Sequence, residues 1–80
     1  MIKLNKQVEQ LESIVERLEE KIDTLREKQE AIEERAFEHD RDMTEKEEER
    51  YNELEEKIDE LQNEVDEIEN ALDYLREYAD

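Results

Sequence analysis

The side chains that could do chemistry gather near the middle of the chain. His39, the only histidine, stands beside Glu38, Asp40 and Asp42. Imidazole and carboxylates at that density are the donor set of a divalent cation or of an acid–base pair. Asp40-Arg41-Asp42-Met43-Thr44 also places oxygen side chains at the first, third and fifth positions of a calcium loop. The rest of that loop does not follow. Its sixth position, which needs glycine for a sharp turn, is Glu45, and its twelfth, which needs a bidentate carboxylate, is Tyr51. The chain has no cysteine for a thiolate and no glycine for a phosphate-cradling loop. His39 therefore reads as a polar turn residue among solvated acids. No catalytic residue, metal ligand or cofactor is expected, and the chain is read as a non-enzyme.

The larger chemical feature is charge. The 80 residues hold 12 Lys and Arg against 29 Asp and Glu, a formal net charge of −17. Such a chain repels nucleic acid and anionic lipid. The expected partner is a basic protein surface, with no direct nucleic-acid binding and no membrane. The acids are unevenly spread: residues 1–43 carry eight bases and thirteen acids, residues 44–80 four and sixteen. From Glu49 onward the outward helical positions hold Glu53, Glu56, Asp59, Glu60, Asp66, Glu67 and Asp73, extended by Glu49, Glu77 and Asp80, with no Lys or Arg among them. A solvated coiled-coil face ordinarily interleaves both signs. Solubility is the plain explanation of this face. The sharper one is a docking strip for a basic protein, including one that normally holds nucleic acid. Duplex DNA carries one charge per ~1.7 Å of axis. Seventeen net charges along a helix of about 55 Å amount to roughly one per 3 Å, nearer to a single strand.

The elements that must position these charges are helices. Gly, Pro, Cys and Trp are absent and 51% of residues are charged, the composition of a coiled coil or long helix. A heptad of apolar residues then runs the length of the chain. Leu4, Val8, Leu11, Val15, Leu18, Ile22, Leu25 and Ile32 alternate at spacings of four and three, with Gln29 in the one polar slot. Tyr51, Leu54, Ile58, Leu61, Val65, Ile68, Leu72, Leu75 and Ala79 do the same one residue out of phase. Disordered acidic chains show no such period. A continuous parallel coiled-coil dimer, a rod of ~120 Å, would have to absorb the slip and bury Ala36, His39, Met43, Lys46 and Arg50, or Glu47, Thr44, Asp40 and Phe37. Neither set makes a seam.

Folding back removes the difficulty. In an antiparallel pair each a residue faces a d residue, and facing residue numbers add to 76, 83 or 90. A constant of 83 pairs Leu4–Ala79, Val8–Leu75, Leu11–Leu72, Val15–Ile68, Leu18–Val65, Ile22–Leu61, Leu25–Ile58, Gln29–Leu54 and Ile32–Tyr51. Only the Gln29 layer is not apolar on both sides. The fold-back point falls between Arg41 and Asp42, and a capping box follows at once, with Thr44 three residues before Glu47. Glu45, Glu47 and Glu48 suit the positive end of a helix dipole there. The expected fold is all-α: an antiparallel two-helix coiled-coil hairpin in a single domain, residues 1–80. Helix 1 covers about 3–39, the turn about 40–43 and helix 2 about 44–79. The flanks predict attraction at Lys21–Glu64 and Arg26–Glu55, and repulsion at Lys28–Lys57, Arg35–Arg50, Glu12–Glu69 and Glu33–Glu48. At the open end Lys3 and Lys6 come level with Asp80 and Glu77.

A lone two-helix hairpin has little core, and more apolar surface sits near its open end. Ile14, Ala71, Tyr74 and Tyr78 lie beside the seam there, so a homodimer that joins two hairpins into a four-helix bundle is expected. The opening Met-Ile-Lys-Leu-Asn-Lys lacks the apolar stretch of a signal peptide, and no segment could span a bilayer. With no cysteine to oxidise, a cytoplasmic location is expected.

Arg41-Asp42-Met43-Thr44-Glu45-Lys46-Glu47, followed by Leu54, Ile58, Leu61 and Ile68, resembles the helical hairpin in the scaffold-like N-terminal region of many tailed-phage major capsid proteins. Short prophage proteins carry similar hairpins, and the likeness covers roughly residues 35–75. No capsid shell domain follows within these residues. The resemblance implies a phage or mobile-element origin rather than a capsid role. One class it points to is the small acidic phage protein that inhibits a host nuclease as a nucleic-acid mimic. The functional expectation is thus a non-enzymatic protein-binding module presenting its acidic face to a basic or nucleic-acid-binding host protein. The alternative is an assembly or scaffold module acting through self-association.

Overall fold

The computed structural model of the chain describes residues 2–78, with side chains from residue 5 onward. It is an antiparallel hairpin of two helices, α1 (Ile2–Glu38) and α2 (Glu45–Tyr78), packed along their length into a body of 58 × 16 × 14 Å. A single continuous helix would be about twice as long, so the parallel rod is not this fold. The expected layer Leu4–Ala79 and the contacts of Lys3 and Asp80 lie outside the described side chains. Among the described residues, no helix is long and apolar enough to cross a membrane.

The core follows the heptad. Val15, Leu18, Ile22, Leu54, Ile58, Val65 and Leu72 are buried, and Val8, Leu11, Leu25, Leu61 and Ile68 pack against them. Gln29, the polar exception, is buried as well and has its hydrogen bonds satisfied. Its Nε2 donates to the Tyr51 carbonyl at 3.3 Å and to Glu55 Oε2 at 2.7 Å. Tyr51 and Glu55 bracket Leu54, the residue that a constant of 83 sets opposite Gln29. Constants of 76 or 90 would shift Gln29 by two turns along α2, opposite Glu47 or Leu61. A polar residue at one a position is a register device, obtained at some loss of stability.

Burial differs between the two rows of the seam. Among the a residues Val15, Ile22, Gln29, Ile58, Val65 and Leu72 are buried and Val8 and Tyr51 half-buried; among the d residues Leu18 and Leu54 are buried, and Leu11, Leu25, Ile32, Leu61, Ile68 and Leu75 half-buried. On each helix d borders g, and a borders e. The hairpin therefore has two broad faces: a closed one flanked by e residues and a more open one flanked by g residues. One further layer adds to the expected seam. Ala36 is buried, because a methyl group is small enough to sit beneath the polar turn.

The turn is built from backbone bonds and one capping box. The link is longer than the expected 40–43, since His39 has left α1 and Thr44 stands outside α2. Asp40 N–H reaches the Phe37 carbonyl at 3.0 Å and Arg41 N–H the Ala36 carbonyl at 3.2 Å. These are the paired bonds of a Schellman motif, with Asp40 in the left-handed position at φ 52°. Glycine ordinarily fills that place, but this chain has none. Glu47 N–H then donates to Thr44 Oγ1 at 3.1 Å, and Thr44 N–H to Glu47 Oε1 at 2.9 Å, the reciprocal pair of the capping box.

Two outcomes follow. Left-handed backbone costs a side-chain-bearing residue ~1–2 kcal/mol, and glycine loosens the unfolded chain by ~0.4–1 kcal/mol. Asp40→Gly should thus raise the urea-unfolding free energy by roughly 0.5–1 kcal/mol; a lower value would show that Asp40 holds the turn by its side chain. Gln29→Leu should raise stability by about 1–2 kcal/mol while broadening the spin-label distance between positions 30 and 53, because only the turn then constrains the register.

Candidate protein-binding interface

Each residue of the expected acidic strip is exposed: Glu53, Glu56, Asp59, Glu60, Asp66, Glu67 and Asp73. The heptad places them on the side of α2 away from α1, over about 30 Å of helix. Intramolecular contacts engage few of them. Asp66 Oδ1 accepts from Gln62 Nε2 at 3.4 Å, and Asp73 Oδ1 lies 3.8 Å from Arg76 Nη1. Carboxylates held this way are hydrated monopoles, suited to meeting cations and poorly placed for acid–base chemistry.

The flank pairs correct two expectations. Among the described residues, neither Lys21–Glu64 nor Arg26–Glu55 closes as an ion pair. Glu55 is taken by Gln29 instead. Glu12, expected to repel Glu69, meets Arg76 two turns further along at 3.3 Å. Glu33 accepts from the Tyr51 hydroxyl at 2.8 Å, a bond that, with nearby carboxylates, holds the phenol above its usual 10.0. All three substitutes lie on the closed face.

The open face carries the opposite sign. Its broadest groove, about 570 Å³, has Leu25 and Leu61 along its floor with Arg17, Lys21 and Lys57 around it. The adjoining groove adds Lys28 and Arg50, and the next, toward the turn, Arg35 and Lys46. Glu20, Glu53, Glu56 and Glu60 stand at the outer rims. The grooves of the closed face are lined by Glu12, Glu16, Glu19, Asp23 and Glu69, with Arg26 and Arg76. The hairpin is thus polarised across its short axis, with cations beside the half-buried d row and acids beside the buried a row.

The residues expected to self-associate remain uncovered. Ile14 is 41% exposed, Tyr74 62% and Tyr78 63%, and Ala71 is exposed beside them. The two tyrosine rings lean on each other with centroids 5.0 Å apart. At the other end of the molecule Phe37 is 86% exposed. His39 and its acidic neighbours are exposed, and no group of three or more His, Asp and Glu converges as a metal site among the described residues.

No family model, curated protein or solved structure matches this chain.

Thr44 and Glu47 cap α2, as the Thr-x-x-Glu pattern implied. The clamp across them was not anticipated: Arg41 Nη1 donates to Glu47 Oε1 at 2.7 Å and to the Asp42 carbonyl at 2.9 Å. Six residues separate the pair, and only a turn brings them together, so helical spacing gives no sign of it. The Arg41 bond and the Thr44 backbone N–H lower the Glu47 carboxyl from 4.5 to about 2. A carboxyl depressed in the folded state stabilises it fully above the unfolded value and loses that contribution as pH falls through the folded one. The stability difference between the parent and Glu47→Gln should be present at pH 7, shrink below about 4.5 and vanish near 2. Urea midpoints of both proteins across that range measure it.

Proposed function

We propose that this chain is a non-enzymatic protein-binding module that presents the acidic side of α2 to a basic surface. One observation carries the reading: seven outward acids on one stretch of α2 are solvent-exposed, while most cations lie on the open face. Acids spread for solubility alone would need no such segregation, because like charges on one rod repel. A basic partner converts that repulsion into attraction on contact and speeds encounter. The partner that fits has a cationic groove about as long as the strip, such as one that otherwise binds a nucleic-acid strand. The hairpin would act by occupying that groove in the cytoplasm of a host cell, as a protein of phage or mobile-element origin. A second reading, an assembly module, is favoured by the uncovered Ile14, Tyr74 and Tyr78.

The test is a low-salt pull-down followed by titration of the captured protein. Affinity should fall at least tenfold between ~0.05 M and ~0.5 M salt. It should fall comparably when Asp59, Glu60, Asp66 and Glu67 become their amides, and added single-stranded nucleic acid should compete. Affinity indifferent to both salt and the four amides removes the acidic strip from the interaction.

A further inference from the structure

We infer that the open face is a self-complementary dimer surface, on which the cationic half of one hairpin covers the tyrosine half of another in antiparallel orientation. The face has an apolar centre line that the monomer leaves half-exposed, formed by Leu25, Ile32, Leu61, Ile68 and Leu75. Its two halves differ. Toward the turn it is flanked by Lys28, Lys57, Arg35 and Arg50. Toward the open end it is flanked by Ile14, Ala71, Tyr74 and Tyr78, with Glu64 and Glu67 between the two halves. Among the described residues none of the four cations forms an ion pair, and Lys28–Lys57 and Arg35–Arg50 are like-charge neighbours across the seam. Within a monomer this arrangement only repels.

Symmetry decides which occupant fits. A second copy laid parallel would set α2 against the other α1, and so Arg50 against the second copy's Arg35 and Lys57 against its Lys28. An overlap limited to the open halves would leave the cationic grooves uncovered. A two-fold axis across the middle of the face, near Leu61, reverses one copy along the long axis. Arg50 then comes level with Tyr74 of the second copy, and Lys57 with its Glu64 and Glu67. Guanidinium over a tyrosine ring is an attractive pairing, and both contacts occur twice, as in any isologous interface. The outward b and f acids of α2 stay free, so the dimer would display two acidic strips side by side along one edge.

Sedimentation equilibrium at about 100 μM in low salt should give a dimer. Arg50→Ala and Tyr74→Ala should each raise the dissociation constant about threefold to tenfold with helicity unchanged. Lys57→Glu should disrupt the dimer, and adding Glu64→Lys with Glu67→Lys should restore it. The chain has no cysteine of its own, so Arg50→Cys and Tyr74→Cys chains can be mixed and oxidised. Disulfides should form between the two kinds of chain in preference to either with itself. A monomer at that concentration, or Arg50→Cys chains joining mainly to each other, overturns the proposal.

Discussion

Two helices offer each other a single seam, and it closes on one register. Every apolar layer in this hairpin depends on facing residue numbers holding their constant from Val8–Leu75 to Ile32–Tyr51. Sliding α2 by one residue would turn the whole buried row out to solvent. Sliding by a heptad would keep the apolar rows but leave residues unmatched at one end. Apolar layers are alike, so they do not distinguish heptad steps well. Gln29 does, because its amide finds two acceptors near Leu54 and would be buried without partners elsewhere. Turn length supplies the second constraint. Arg41, clamped to Glu47, fixes where the chain comes back on itself.

Polarisation of the faces grows out of the same geometry. In antiparallel pairing g residues meet g, and e residues meet e. A helix with cations at g and acids at e therefore concentrates each sign on one side of the hairpin. In a parallel coiled coil g would meet e, and Lys28 and Arg35 would face Glu33 and Asp40. The distribution that looks unfavourable flank by flank becomes a division of labour when read across the short axis. One side presents carboxylates to water; the other offers a half-open apolar line between cations.

Much of this architecture was legible in residue types and spacing. The heptads, the one-residue slip, the fold-back point and the Thr44–Glu47 box all depend on short-range rules that a linear chain displays. What escaped depends on three dimensions. Asp40 in a left-handed conformation is hidden because glycine, its usual marker, is absent. The Arg41 clamp crosses a turn. Glu12 meets Arg76 rather than Glu69 because long side chains reach along the helix, here to a residue two turns on. The candidate acidic strip was legible residue by residue, but its separation from the cations was not, since it needs both helices in place.

The topology also sets an order of events. The Tyr51–Glu33 contact near the turn spans 18 residues, and the Arg76–Glu12 contact near the open end spans 64. Closing the longer loop first would cost about 1 kcal/mol more in chain entropy than closing the shorter. Each layer formed from the turn outward instead leaves only a short loop for the next. Chain entropy therefore favours closing the hairpin like a zipper from the capped turn, with its tyrosine-bearing end last.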